Sequence, residues 1–321
     1  MNFTLLRDSF VILIAGMYLL IKGADWFVEG ASSVARKMRI PSLIIGLTLV
    51  SIGTSMPEMS VSITASIQGN NDISFGNIIG SNIFNTFVVI GASALFVPLT
   101  VSKDMKKYDI PILAGIYVLL GVFAFAVTPL TINRIEAGII FSLFFIYTLF
   151  LIFRSRKDMT EEEPEENKRK WYSDLFAIVF GLAAIVFGGD LVVDSASAMA
   201  KEFGMSELLI GLTIVAVGTS LPELVTSMVA AKKGEHDIAV GNAIGSSIFN
   251  VILILGTATV IKPTTVAWAA LVDLAVMLLS AVMVYVFSFK KGKINKGSGI
   301  ILILTYAVYL TYIILRDTGI L

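Results

Sequence analysis

Long apolar stretches alternate with short polar loops along almost the whole chain. A helix that spans a bilayer needs about 20 mostly apolar residues, and ten stretches of the sequence have this length. The predicted spans are 9–35, 42–67, 72–98, 109–127, 132–153, 173–200, 207–231, 237–261, 267–289 and 298–316. This pattern predicts an all-α polytopic membrane protein with ten transmembrane helices.

The composition agrees with a membrane location. Of the 321 residues, 56% are hydrophobic and 15% are charged, and the mean hydropathy is +0.86, whereas soluble domains are roughly 45–50% apolar and about 25% charged. The net charge is zero, so no basic field favours nucleic acid as a partner. The chain has no cysteine and a single histidine, His236, which excludes thiol catalysis, disulfides and Cys/His zinc sites. We therefore expect no enzyme activity and no bound cofactor.

Basic residues are distributed unevenly between the two sets of loops. Eighteen of the 24 lie on the side that carries the central linker, and five lie on the other side. Because cytoplasmic loops are rich in Lys and Arg, we expect a cell-membrane protein with a cytoplasmic linker and both termini outside. The linker, 154–172, carries an acidic run at 161–166 and is too short to form a domain.

Two blocks of sequence recur at a constant offset of 165 residues. Residues 44–58 match 209–223 at 10 of 15 positions, and 72–85 match 237–250 at 10 of 14 positions, both without a gap. The predicted organisation is a first five-helix repeat at 1–153, the linker at 154–172 and a second five-helix repeat at 173–321. Because five is odd, the second repeat must enter the membrane from the opposite side. Such inverted repeats are typical of secondary transporters.

Each repeat places one glutamate within a predicted membrane helix. Glu58 lies near the middle of the second helix and Glu223 near the middle of the seventh. An ionised carboxylate there costs at least a few kcal/mol, and neither helix has a lysine or arginine in its membrane portion to pair with it. The two glutamates are predicted to bind a cation; the alternative is a protonated structural pair.

Hydroxyl groups share the helical stripe of each glutamate. They are Ser51, Thr54 and Ser55 in the first repeat and Thr219 and Ser220 in the second, where Ala216 replaces the first serine. Pro57 and Pro222 cannot donate a backbone hydrogen bond, so each frees a carbonyl about one turn earlier. Carboxylates, hydroxyls and carbonyls are the oxygen ligands that calcium and sodium prefer.

The third and eighth helices carry a second polar stripe. Its members are Asn77, Ser81 and Asn85 in the first repeat and Asn242, Ser246 and Asn250 in the second. Small and polar residues also allow close helix packing, which is the alternative explanation. Ser81, Asn85, Ser246 and Asn250 are predicted to be site residues, and the other two asparagines are predicted to be structural.

The remaining charged residues within or near the predicted spans have simpler interpretations. Lys22, Asp25 and Glu29 are spaced for an ion pair within the first helix, and Asp273 is expected at the membrane interface. His236 is expected in the loop between the seventh and eighth helices, on the surface, with a proton-sensing role as the alternative.

The paired G-T-S-x-P-E and G-N-x-I-G-S-x-I-F-N blocks resemble the two alpha repeats of the calcium/cation antiporter superfamily, in its sodium/calcium exchanger branch. The resemblance implies calcium binding by Glu58 and Glu223 with Thr54 and Thr219. It implies that sodium uses the same glutamates with Ser55, Ser81, Ser220 and Ser246, and that the carbonyls of Ser51 and Ala216 contribute as well. Asn85 and Asn250 match the family's fourth pair of central polar positions. Some family members, potassium-dependent exchangers among them, carry aspartate at the position of Asn250, so asparagine there suggests independence of potassium.

These observations predict an antiporter that exchanges calcium for sodium by alternating access, with the bilayer as its surroundings. Two glutamates carry two negative charges, which one calcium ion or two sodium ions neutralise. The first and sixth helices are expected to move against the motif-bearing helices. The alternatives are proton/calcium exchange through the same glutamates and, from another class, a cation channel. A membrane enzyme is disfavoured, because no H-E-x-x-H motif or Ser/His pairing is present.

Overall fold

The computed structural model describes residues 3–157, 170–204, 216–289 and 292–317, and these residues are mostly helical. The helices are α1 (Phe3–Met38), α2 (Ser42–Thr54), α3 (Met56–Gln68), α4 (Asn71–Phe96), α5 (Met105–Val127), α6 (Arg134–Lys157), α7 (Trp171–Glu202), α8 (Ala216–Gly218), α9 (Leu221–Lys232), α10 (His236–Ile261), α11 (Ala270–Phe289) and α12 (Lys296–Asp317). The short strands are β1 (Leu99–Thr100), β2 (Thr131–Ile132), β3 (Thr264–Thr265) and β4 (Lys293–Ile294).

Nine of the ten predicted spans coincide with described helices. Eight helices in the described ranges are long and apolar enough to cross a bilayer, and there are nine if α2 and α3 form one bent span. The predicted span 207–231 lies partly outside the described residues, as does the linker segment 158–169. The polytopic helical fold is therefore observed, and the number ten remains a prediction.

The centre of the fold is built from α4 and α10. In each of these two helices 78% of the 18-residue apolar stretch is buried, compared with 22–39% of the corresponding stretch in the other long helices. The surrounding helices expose large apolar side chains such as Phe145 and Val308, as expected for surfaces that face lipid. The helices that carry the Asn/Ser stripe thus lie at the core.

Helices α1 and α7 are in backbone contact along a row of glycines. Gly16 and Gly23 on α1 are seven residues apart, and so are Gly181 and Gly188 on α7. A Cβ atom on Gly181 would lie 2.7 Å from the amide nitrogen of Phe27, which is too close for any side chain. Small residues at such an interface let two membrane helices pack tightly, so α1 and α7 form a single packed pair.

Two antiparallel strand pairs connect distant loops. Leu99 in β1 is paired with Ile294 in β4, and Thr131 in β2 is paired with Thr265 in β3. Because β1 precedes α5 and β2 follows it, the two pairs lie at opposite ends of this helix. Each pair joins a loop of the first repeat to a loop of the second.

A buried ion pair joins the start of α5 to the end of α6. Arg154 donates to both carboxylate oxygens of Asp109, at 3.0 and 2.9 Å, and the hydroxyl of Tyr147 donates to the same carboxylate at 3.3 Å. Asp109 is fully buried and Arg154 nearly so. This cluster fixes the two helices together at the end of the molecule that carries β1.

A matching cluster joins the start of α11 to the end of α12. Arg316 donates to both oxygens of Asp273, at 3.0 and 3.1 Å, and Tyr309 donates to Asp273 at 3.1 Å. In each cluster the tyrosine and the arginine are seven residues apart, so they lie on one face of their helix. Asp273 lies next to β3, at the opposite end of the molecule from the first cluster.

Ion pairs also tie α1 to the turn that follows α9. Lys233 lies 2.6 Å from Asp25 and 2.7 Å from Glu29. The predicted pairing with Lys22 is therefore wrong; Lys22 is exposed, and the end of α9 places a lysine of the other repeat beside the acidic pair. Burial alone would lower the pKa of Lys233, but the two carboxylates raise that pKa above its ordinary value. His236, expected in a loop, is the first residue of α10.

Candidate cation site

The helix that carries Glu58 is broken immediately before it. α2 and α3 meet at an angle of 51°, with Ser55 between them at φ −83° and ψ 10°, outside helical geometry. Pro57 lies in the first turn of α3, where its missing N–H leaves no helical hydrogen bond unmade. The second repeat has the same arrangement, because Ser220 has φ −93° and ψ 7° and α9 begins with Leu221 and Pro222.

Both glutamates therefore lie in the first turn of a helix. They were expected near the middle of continuous helices, and the prolines explain the difference. The free N–H groups at a helix start carry partial positive charge and favour a carboxylate nearby. Glu58 and Glu223 are both fully buried, so this field and direct hydrogen bonds replace water.

Each glutamate accepts a hydrogen bond from the serine of the other repeat. Ser55 Oγ donates to Glu223 Oε1 at 2.9 Å, and Ser220 Oγ donates to Glu58 Oε1 at 3.0 Å. Ser81 Oγ lies 3.4 Å from Glu58 Oε1, in donating geometry, and 3.1 Å from Ser220 Oγ. The two repeats thus meet at one polar centre. The two serine–glutamate bonds are equivalent, because each serine and each glutamate is the counterpart of the other at the 165-residue offset.

The carbonyl of Ser51 and the side chain of Thr54 extend this centre towards α10. Ser246 Oγ donates to the Ser51 carbonyl at 3.3 Å, and Thr54 Oγ1 approaches the same carbonyl at 3.4 Å. Thr54 also donates to Asn242 Oδ1 at 3.0 Å. The predicted hydroxyl residues of the first repeat are therefore all held near the second repeat.

Several buried polar atoms at the predicted site residues have no hydrogen-bond partner in the described part of the chain. They are Glu58 Oε2, Glu223 Oε2, Thr219 Oγ1, Asn250 Oδ1 and both polar atoms of the Asn85 amide. Neither glutamate forms an ion pair with a described residue, and no group of three or more Asp, Glu, His or Cys side chains is found there that could hold a metal. Buried hydrogen-bond acceptors are costly when they have no partner, and a bound cation would provide one. The oxygens available as ligands are those of the two carboxylates and of the neutral side chains around them.

Asn77 and Asn242 contact the backbone of the glutamates. Asn77 Nδ2 donates to the Glu58 carbonyl at 3.3 Å and to Ser62 Oγ at 2.9 Å. Asn242 Nδ2 makes the equivalent bonds to the Glu223 carbonyl and a serine hydroxyl, at 3.3 and 3.0 Å. Such contacts fit the predicted structural role, although Asn242 also binds Thr54.

Helices α4 and α10 each widen into a π-helical turn, which starts at Asn85 in α4 and at Asn250 in α10. A π-helical turn covers Asn85–Val89 in α4, and another covers Asn250–Leu255 in α10. Such turns are rare and occur frequently at functional sites. Sequence reasoning did not find them, nor did it find Asn82, a fully buried side chain that accepts a hydrogen bond from Asn250. Ala216 is the first residue of α8.

The family model described as "Sodium/calcium exchanger protein" matches residues 8–153 and 173–315. The chain belongs to the sodium/calcium exchanger family. The resemblance seen in the two motif blocks is thereby confirmed. Members of this family are membrane transporters and exchangers rather than enzymes, and the chain is a prokaryotic-type member.

Relatives of this exchanger family match over nearly their full length. Sodium/calcium exchanger MaX1 of Methanosarcina acetivorans is 34% identical over 342 residues, covering 94% of this chain and 97% of the relative. Inner membrane protein YrbG of Escherichia coli strain K12 is 35% identical over 310 residues, covering 93% and 94%. A structure of the sodium-calcium exchanger NCX_Mj soaked with zero Na⁺ and Ca²⁺ has a TM-score of 0.83 at 30% identity, covering 97% of this chain and all of that one.

Proposed function

We propose that this exchanger-family protein moves Ca²⁺ across the cell membrane in exchange for Na⁺, by alternating access to one site near the middle of the membrane. The site is formed by Glu58 and Glu223 with the hydroxyl, amide and carbonyl oxygens around them. The two relatives described as sodium/calcium exchangers support the pair of ions. The ions are transported substrates, and no resident cofactor is part of the proposal.

The reciprocal serine–glutamate bonds carry the proposal. Each glutamate accepts from the opposite repeat and keeps its second carboxylate oxygen free. A buried carboxylate without a cationic partner is strongly disfavoured, and the described surroundings provide none for Glu58 or Glu223. One Ca²⁺ or two Na⁺ would neutralise the pair, so the two ions compete for the same oxygens and travel in opposite directions.

An inverted arrangement of two five-helix repeats, 1–153 and 173–321, is part of the proposal. At the 165-residue offset β1 corresponds to β3, and β2 lies close to the counterpart of β4. The pair β1·β4 at one end therefore corresponds to the pair β3·β2 at the other. The two Asp–Tyr–Arg clusters likewise lie at opposite ends of the molecule, one in each repeat. This arrangement supports a two-fold axis in the membrane plane.

Alternating access requires one group of helices to move against another. The packed pair α1 and α7 is the proposed moving group, because its glycine contacts make it a unit of its own. The helices of the site, α2 to α4 and α8 to α10, are the proposed fixed core. With the linker 154–172 in the cytoplasm and both termini outside, Lys233 would tie α1 to the core at the cytoplasmic end.

Calcium uptake into proteoliposomes tests this function. With the reconstituted protein we expect ⁴⁵Ca²⁺ uptake when Na⁺ is loaded inside and absent outside, and no uptake without the sodium gradient. Uptake that follows a pH gradient and ignores sodium would instead identify a proton/calcium exchanger. Conductance that is independent of any counter-ion would identify a channel.

Charge-neutral variants test the site. Glu58→Gln and Glu223→Gln should each reduce exchange to background while the protein still inserts, because either change removes one of two charges that balance the ion. Ser62→Ala is the matched control: Ser62 is on the same helix as Glu58, its hydroxyl contacts Asn77, and it is not a proposed ligand. Retained exchange in either glutamine variant would contradict the site.

A further inference from the structure

We infer that Asn82 determines which way the amide of Asn250 faces, and thereby presents Asn250 Oδ1 to the transported cation. Asn82 lies on α4 and is fully buried, as is Asn250 on α10. The inference rests on the proposed function, since it assigns Asn82 a positioning role at that same site. No motif singles out Asn82 from the other polar residues of its helix.

The orientation follows from a chain of hydrogen bonds that begins at a backbone carbonyl. Asn82 Nδ2 lies 3.0 Å from the carbonyl oxygen of Ser247, which can only accept. The Oδ1 atom of Asn82 must therefore be the acceptor on the other side of its amide. Asn250 lies 3.0 Å from that Oδ1 atom and so must present Nδ2 to it.

As a consequence, the oxygen of the Asn250 amide is turned away from Asn82. It is buried and has no hydrogen-bond partner among the described residues. Asn250 lies one helical turn beyond Ser246, on the same face of α10, and Ser246 contacts the carbonyl of Ser51 in the site. An amide fixed in this way offers an oxygen to a cation, whereas a free amide could present its NH₂ group, which repels a cation.

The two halves of the site differ at this point. Asn82 and Ser247 correspond to each other at the 165-residue offset and are in direct contact, as expected for residues beside the proposed two-fold axis. Because asparagine stands on one side and serine on the other, only one of the two related amides is fixed. The amide of Asn85 has no partner on either atom in the described structure. The site thus has one oriented amide and one free amide.

A double-mutant cycle tests the inference. Asn82→Ser gives Asn82 the residue of its repeat counterpart and removes the amide contact to Asn250. We expect it to raise the apparent KM for Ca²⁺ about tenfold, the size of one lost hydrogen-bond contact, with little change in the maximal rate. In an Asn250→Asp background both terminal atoms are oxygens, so orientation no longer matters. There Asn82→Ser should cause no loss, and it should improve Ca²⁺ affinity by removing the oxygen that faces the carboxylate.

The cycle separates positioning from a structural role, which would weaken both backgrounds equally. Ser247→Ala is the matched control, since it changes the counterpart of Asn82 but keeps the carbonyl that Asn82 binds; the Ser247 hydroxyl donates to the carbonyl of Ala243. This control should leave the Ca²⁺ dependence unchanged. Equal losses in both backgrounds, or an unchanged KM in Asn82→Ser, would overturn the inference while leaving sodium/calcium exchange intact.

A second readout keeps the inference testable if exchange itself fails. The melting temperature of the purified protein can be titrated with CaCl₂, NaCl and, for reference, choline chloride. The parent protein should be stabilised by the first two at lower concentration than Asn82→Ser. If the parent transports no Ca²⁺ against Na⁺ but still shows this difference, the proposed function is wrong and the positioning role stands. Identical titrations would refute the positioning role.

Discussion

The tie between Lys233 and α1 leads to a prediction that can be worked out quantitatively. The ammonium group lies 2.6 Å from Asp25 and 2.7 Å from Glu29, and all three side chains are 27–41% exposed. A partly exposed ion pair contributes about 0.2–1 kcal/mol, so the two together contribute about 1 kcal/mol. Lys233→Gln should therefore increase local opening at this end of α1 roughly fivefold.

Hydrogen–deuterium exchange in nanodiscs measures this opening. Peptides that cover residues 25–38 and 221–235 should exchange faster in Lys233→Gln than in the parent protein. Lys232→Gln is the matched control, because Lys232 lies over the ring of Phe96 at 4.6 Å instead of contacting α1. Equal hydrogen–deuterium exchange rates in the parent protein and in Lys233→Gln would refute the idea that these ion pairs hold α1. An equal increase in Lys232→Gln would refute it as well.

The raised pKa of Lys233 sets the pH range of the measurement. A lysine whose pKa is higher in the folded protein stabilises it below the unfolded pKa, and this contribution is lost only as the pH rises through the folded pKa. The tie should therefore be fully present at neutral pH. An effect of Lys233→Gln that disappears between pH 6 and 8 would point to a different group.

The repeat offset provides a reciprocal variant. Asp190 and Asp194 on α7 correspond to the acidic pair on α1, and Gln68 corresponds to Lys233. A lysine at position 68 would offer a tie at the other end of the molecule. If the repeats are inverted, Gln68→Lys should favour the position of α1 and α7 in which the contact with Lys233 is broken. Hydrogen–deuterium exchange of the peptide 221–235 should then be faster than in the parent protein. No change at 221–235 would contradict the symmetric arrangement.

Two further predictions concern stability, each measured as a shift in the thermal unfolding midpoint. Gly181→Ala should separate α1 from α7 and cost about 1–3 kcal/mol, since its Cβ meets backbone atoms; Gly121→Ala, with open space around it, is the control. An equal shift in both would contradict the packing argument. Arg154→Met leaves Asp109 buried and unpaired and should cost about 3–5 kcal/mol, whereas Arg316→Met, at a more exposed pair, should cost less. The reverse order would show that burial does not control the cost.

Most of the architecture could be predicted from the sequence, because a bilayer leaves few alternatives to a helix of about 20 apolar residues. Two features escaped this reasoning for a physical reason. Pro57 signalled a disturbed helix, but only three-dimensional packing decides whether a helix bends or breaks, and here it breaks at Ser55. The strand pairs are two residues long, too short to leave an alternating pattern.

The candidate site was predictable to a similar degree. An ionised carboxylate within a membrane helix is costly, so the sequence singled out the two glutamates and the hydroxyl groups on the same helical face, and their role at a cation site stays a prediction. Contacts between repeats were not predictable, since a side chain such as Asn82 or Lys233 has the same local pattern whatever it touches. The pairing of Lys22 with its helical neighbours was a reasonable local prediction, and it failed because a residue two hundred positions away was closer.

The pairing of β1 with β4 has a consequence for how the chain is made. The backbone of Leu99 finds its partner only when Ile294 has been synthesised, which takes about 10–40 s at ordinary rates of translation. During that time a loop of the first repeat waits with open hydrogen-bonding groups. Although the sequence looks like two copies of one unit, neither copy can complete its own ends. A half-length chain should therefore be recognised and degraded by membrane-protein quality control unless the other half is made beside it.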